Sequence, residues 1–294
     1  MDTADLLRKV RRLEIRSRHL VEDLFSGHAE SVFKGRGVEF EEVRPYVPGD
    51  EVRDIDWNVT ARLGAPYVKR FVEERELTVM LVVDVSRSMR FGTAGAEKRE
   101  LAAELCAVLG FAALRNNDRV GLVLAGERVE HFVPPARGRT HLLRMLRDVL
   151  GVTPAGGGTR LTEAVRFVLR TTRRRSLLFW ISDFEDPPAQ RDWRVLGKRH
   201  DLTVMVLRDP RDEVLPAVGW VELEDLERGT RTLVNTSSAR VRQEYQREAL
   251  QRRRALEQSL AGAGCAWLEL RTERSYLPVL MRYFSSRRRR GRRA

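Results

Sequence analysis

Cysteine is nearly absent. Cys106 and Cys265 are the only two in 294 residues, and neither has a second cysteine near it, so a disulfide or zinc framework has no support. Cys106 falls in a helical pattern and Cys265 in a strand-like one, which predicts both reduced and buried. Long apolar runs are missing too: none approaches the roughly 18 residues of a membrane span. The opening MDTADLLRKVRRLEIR lacks the apolar centre of a signal peptide. A cytoplasmic protein is the expectation. Histidine is scarce and scattered (His19, His28, His131, His141, His200), with no metalloprotease helix pair and no G-x-S-x-G elbow, so metal-assisted hydrolysis lacks a general base. Gly156, Gly157 and Gly158 are not followed by Lys-Ser/Thr, which excludes a nucleotide phosphate loop.

Acidic charge is in deficit, for the net charge is +12. Arg287, Arg288, Arg289, Arg290, Arg292 and Arg293 supply half of that excess. Such an end attracts phosphate, so weak contact with nucleic acid or an anionic lipid surface is one expectation, and a plain solubility tail is the other. No aromatic interleaves these arginines, so base stacking has no support. The hydrophobic share of 42% beside 33% charged residues is that of a soluble, well-packed protein, and the length suits one doubly wound sheet with additions.

The organising stretch is LTVMLVVDVSRSM, residues 77–89. Its uncharged first seven residues predict a central parallel strand covered on both faces. Asp84 closes that strand, and Asp84, Ser86 and Ser88 follow at i, i+2, i+4. The crevice beyond the carboxyl ends of such strands is where ligands bind. One carboxylate and two hydroxyls are hard donors suited to Mg²⁺, and next to Mn²⁺. An octahedral ion wants about six ligands, so other loops must contribute. Thr159 precedes a helical pattern (Leu161, Ala164, Val165, Val168, Leu169), and Asp183 follows the strand expected over 176–181. Each has a blander reading: Thr159 as a helix cap, Ser86 and Ser88 as turn formers, Asp183 and Asp186 as loop acids before Pro187 and Pro188. Convergence of three loops on one sheet end favours the metal.

In that order and on those loops, Asp84, Ser86, Ser88, Thr159 and Asp183 resemble the metal-ion-dependent adhesion site of von Willebrand factor A domains. A second segment narrows the resemblance. Val38, Phe40 and Val43 alternate as in a strand, and Pro48-Gly49-Asp50 forms a turn. Arg53, Asp54, Asp56 and Trp57 then crowd together, with Asp50, Arg44 and Arg53 expected to tie this strap through ion pairs rather than to catalyse. The pattern from Gly37 through Phe40, Glu42, Arg44, Tyr46, Gly49, Asp50, Arg53, Ile55, Asp56 and Trp57, then Ala61-Arg62 and the Asp84 loop, closely resembles the bacterial domain of unknown function number 58. The likeness runs from about Val32 to Phe284.

That resemblance implies an α/β fold, von Willebrand factor A-like and doubly wound, with a mostly parallel sheet, helices on both faces, and an N-terminal helix and strap in front. It divides the chain into 1–75 (helix and strap), 76–284 (the main domain) and 285–294 (basic tail). It also implies a MoxR-type AAA+ ATPase as partner. The function expected is a non-enzymatic, metal-dependent binding module, an adaptor that takes an Asp or Glu carboxylate of a protein partner at the ion; no small-molecule substrate is expected. The remaining pattern predicts helices over 5–25, 97–115, 141–150, 238–261 and 277–284. Strands are expected over 119–124, 128–133 (antiparallel), 201–208 and 266–270, with a hairpin over 220–224 and 230–234 around Glu227-Arg228-Gly229. The N-terminal helix, with Leu6, Val10, Leu13, Leu20 and Leu24 on one face, is expected to dock on the domain itself rather than on a partner.

Overall fold

A computed structural model of the chain describes residues 3–27, 37–74, 77–154, 156, 158–226 and 229–291. Val32, Gly157, Glu227, Arg228, Arg292 and Arg293 lie outside the described residues.

The apolar run at 77–83 forms β3 (Thr78–Asp84), in which every residue after Thr78 is buried. It lies in the middle of a six-stranded sheet together with β4 (Arg119–Ala125), β5 (Val129–Ala136), β6 (Leu177–Ser182), β7 (Asp201–Arg208) and β10 (Ala266–Arg271), in the spatial order β10-β7-β6-β3-β4-β5. All pairings are parallel except β4 with β5, as the short return after β4 predicts. After β3 the chain first builds outward through β4 and β5, then returns to the other side of β3 to lay down β6, β7 and β10. The direction of winding therefore reverses between β3 and β6, the position at which a doubly wound sheet opens a crevice.

Helices cover both faces. One face carries α3 (Lys98–Arg115), α4 (Arg139–Gly151) and the buried side chains Leu280, Tyr283 and Phe284 of α9 (Leu277–Gly291), around Leu81, Leu105, Leu109 and Leu122. The other carries α5 (Leu161–Thr171), α6 (Gln190–Arg199) and α8 (Ala239–Ala263), around Met80, Trp180, Trp193 and Leu260. This is the doubly wound α/β architecture expected. The helix α1 (Thr3–Gly27) lies on α3 and α4 with Val10 and Val21 buried, and Lys9 pairs with Glu100, Arg16 with Glu104 and Glu14 with Arg139. It docks on its own domain, as its apolar stripe predicts.

In the strap, β1 (Gly37–Pro45) pairs antiparallel with β2 (Tyr67–Glu74), and α2 (Trp57–Leu63) lies between them in sequence. Arg44 donates to both oxygens of Asp50 at 2.7 and 2.6 Å, and Val47 N–H donates to Asp50 Oδ2 at 2.9 Å. Gly49 takes a φ of 115°, which only glycine adopts without strain. Arg53 is exposed and stays out of that pair, contrary to expectation. Asp56 is a helix cap, accepting from Asn58 and Val59 N–H.

The sequence pattern predicts neither α2, β2 nor α6. In β2 the apolar residues at 67, 68, 71 and 72 keep no two-residue period. In α6 only Trp193 and Leu196 are buried, too few to mark a helix among charges. The hairpin of β8 (Trp220–Glu224) and β9 (Arg231–Asn235) matches expectation, and α7 (Pro210–Glu213) is a single capped turn after β7. α9 runs seven residues past the predicted end, to Gly291, and Arg287 pairs with Asp201 and donates to the Tyr283 hydroxyl at 2.6 Å. The first arginine of the basic run is thereby tied to the domain. Cys106 is buried in α3 and Cys265, half-buried, precedes β10; neither forms a disulfide.

Candidate metal centre at the sheet's switch point

The five oxygen-bearing residues singled out in the sequence come to one edge of the sheet. Asp84 ends β3, Asp183 directly follows β6, and these strands are neighbours. Ser86 and Ser88 lie in the turn after β3, whose Val85 N–H donates to Ala125 O at the end of β4. The loop bearing Thr159 is pinned to the same edge, since Arg160 N–H donates to Gly126 O at 2.9 Å. All five are buried: Asp84, Ser86, Ser88, Thr159 and Asp183 are at most 8% exposed, although they follow strand ends where chains normally turn into solvent.

The local bonds explain the arrangement. Asp84 Oδ1 accepts from Ser86 N–H at 2.8 Å and Oδ2 accepts from the Ser182 hydroxyl at 2.6 Å, which fixes the carboxylate against the strand end. The Ser182 oxygen in turn accepts from Phe184 N–H at 2.8 Å. Phe184 has a φ of 54°, uncommon for a bulky residue, and its ring is held 5.6 Å from that of Trp193. A backbone kept in that region beside Asp183 is the kind of strain that packing must enforce. The Ser86 and Ser88 hydroxyl oxygens lie 3.0 Å apart. Neither serves as a side-chain cap of the turn that follows, and α5 begins with Arg160 as its N-cap residue, one position after Thr159.

Electrostatics single the site out. Asp84 is wholly buried, and burial first, then the negative charge of Asp183, push its carboxyl up to about 7. Asp183 Oδ2 accepts from the Lys98 ammonium at 2.7 Å, and its backbone carbonyl accepts from Arg208 at 3.0 Å. Asp183 Oδ1 is buried with no hydrogen-bond partner among the described residues. Lys98 also donates to Asp212 Oδ1 and Oδ2, both at 3.2 Å. Burial works against its charge, but Asp183 and Asp212 outweigh burial and raise its pKa above the ordinary lysine value. Asp209, at the end of β7, accepts from Thr93 N–H, the Thr93 hydroxyl and the Thr272 hydroxyl, and so ties the loop before α3 to the edge of the sheet.

Sequence reasoning misses Lys98 and Asp212, and it places Ser182 on the strand-end loop with Asp183 without giving it a role. Ser182 carried a signal, because it is the last residue of an apolar strand and precedes Asp183. Lys98 did not, since a lysine between Glu97 and Arg99 reads as solvated.

The donor chemistry fits a hard divalent ion. Among the described residues no three His, Cys, Asp or Glu side chains cluster as a metal site, so an ion here draws on hydroxyls and water besides the two carboxylates. That is the habit of Mg²⁺, which keeps several waters and takes one or two carboxylates. Octahedral bonds of about 2.1 Å place adjacent ligands about 3.0 Å apart. The Ser86 and Ser88 oxygens, hydrogen-bonded to each other at 3.0 Å, already stand at a separation compatible with such a pair. A divalent ion would also satisfy Asp183 Oδ1 and relieve the repulsion that lifts Asp84.

A doubly wound α/β domain with two buried acids and three buried hydroxyls at its switch point is the class of protein that the fold and site define. The family described as "Protein of unknown function DUF58" matches residues 42–255, and the chain belongs to it. It is 36% identical over 292 residues to "Uncharacterized protein Rv1480" of Mycobacterium tuberculosis, covering 98% of this chain and 92% of that protein, and equally to "Uncharacterized protein Mb1516" of Mycobacterium bovis. Solved structures similar to it include the conserved hypothetical protein BatB of Bacteroides thetaiotaomicron (TM-score 0.47, 14% identity, 73% of this chain and 99% of that one). The SpRpn10 VWA domain is another (TM-score 0.41, 13% identity, 71% and 95%). Among the described residues no helix is long and apolar enough to cross a membrane.

Proposed function

We propose that the chain is a metal-dependent protein-binding module. Asp84, Ser86, Ser88, Thr159 and Asp183 hold Mg²⁺ or Mn²⁺, directly or through water, and leave a coordination position for an Asp or Glu carboxylate of a partner. The observation that carries the reading is the buried Asp183 Oδ1, without a hydrogen-bond partner among the described residues, at the strand end beside that of Asp84. Neutral hydroxyl ligands leave an ion electrophilic, and an incoming carboxylate answers that charge. Arg87 and Arg160, both exposed, flank the ligands in sequence and add attraction for an acidic partner.

The partner that the family resemblance suggests is a MoxR-type AAA+ ATPase in the cytoplasm, with this chain as adaptor. No catalytic role is assigned to any of its residues. A pull-down against such an ATPase should retain it in Mg²⁺ and lose at least tenfold of it in EDTA or with Ser86→Ala/Ser88→Ala. Equal retention in all three conditions contradicts the reading.

A further inference from the structure

Lys98 opens α3 and yet is only 1% exposed. Its ammonium lies between two acids that are far away in sequence, 2.7 Å from Asp183 Oδ2 and 3.2 Å from each oxygen of Asp212, with the Phe91 ring centroid 5.6 Å off. Those contacts occupy its donors, so the ammonium is locked rather than mobile. A buried cation persists only when paired in this way. The consequence for Asp183 is directional: one oxygen is committed to Lys98, and Oδ1 is the atom left to offer.

Resting on the metal-site reading above, we infer that Lys98 is a positioning residue and resident counter-cation of that site, orienting Asp183 while holding the divalent affinity down. Two cations on opposite oxygens of one carboxylate repel each other, and in a buried site that repulsion is little screened by salt. The ion alone is therefore held weakly. Lys98 thus fixes which oxygen Asp183 offers and lowers the affinity of the bare ion.

The test is a calorimetric Mn²⁺ titration of the full chain, as wild type, Lys98→Met, Asp212→Asn and the double variant Asp84→Asn/Lys98→Met. Lys98→Met removes the charge but keeps the stem, and it should tighten binding at least tenfold; the double variant should lose that binding. Asp212→Asn keeps a side-chain oxygen able to accept from Asp209 N–H, as Asp212 Oδ2 now does at 2.8 Å, so it serves even if Lys98→Met does not fold. It leaves the ammonium less neutralised beside Asp183 and should weaken binding at least threefold.

Unchanged or weaker binding in Lys98→Met, or unchanged or tighter binding in Asp212→Asn, overturns the inference and leaves the metal site standing. Tightening that survives in the double variant also overturns it, because the ion then lies between Asp183 and Asp212. No binding in any variant overturns both this inference and the metal-site reading.

Discussion

Asp84→Asn should raise the melting temperature of the metal-free protein at pH 8 by at least about 5 °C while weakening Mn²⁺ binding more than a hundredfold. Burial and the neighbouring Asp183 hold the Asp84 carboxyl at about 7, above its ordinary 3.8. A folded-state value above the unfolded one favours the folded protein at low pH. That advantage is complete below about 4 and is lost as the pH rises through 7. At pH 8 an ionised Asp84 therefore costs on the order of 4 kcal/mol in the absence of an ion. Asparagine keeps an acceptor for Ser86 N–H and offers a donor toward Ser182 Oγ, so the geometry survives and the charge does not. With millimolar Mn²⁺ the order should reverse, since only the wild type gains stability from an ion it binds. Wild-type affinity should rise with pH up to about 7 and then level, as the ion ceases to compete with a proton. Differential scanning calorimetry in EDTA and in Mn²⁺ reads both effects. A variant that melts below wild type in EDTA contradicts the account of Asp84 as a strained charge.

Trp180→Ala should cost about 3–5 kcal/mol, the largest loss expected of any single truncation in the sheet. Trp180 is completely buried in β6, in register with Val82 of β3 and Val204 of β7. Its ring meets Trp193 of α6 edge-on at 5.4 Å. Trp193 also packs against Phe184, the residue whose unusual backbone follows Asp183, so the same contact chain supports the site. Urea titration should show a lower midpoint with an unchanged slope. A loss under about 1 kcal/mol would mean that α6 does not seal this face as described.

Much of this architecture is legible in sequence because its signals are local. β3 and β6 are largely apolar runs, the first closed by Asp84 and the second followed directly by Asp183, at the position where a parallel sheet presents its crevice. Asp84, Ser86 and Ser88 announce themselves by spacing alone. Thr159 and Asp183 join them only through the rule that loops after parallel strands share an edge.

What stayed hidden depends on tertiary burial. Lys98 is separated from Asp183 by 85 residues, and nothing in its neighbours shows that its ammonium turns inward. Asp212 reads as a loop acid until α7 caps itself with it. Arg287 belongs by sequence to a solvated run, yet it pairs with Asp201 across 86 residues. Strap elements such as α2 and β2 carry mixed polarity on every face, so periodicity has no purchase on them.

Anomalous diffraction from crystals grown with Mn²⁺ tests the central claim most directly. The account predicts one peak within bonding reach of the Ser86 and Ser88 oxygens, at the strand ends that carry Asp84 and Asp183, and its loss in Ser86→Ala/Ser88→Ala. A peak elsewhere, or none at millimolar Mn²⁺, would contradict it.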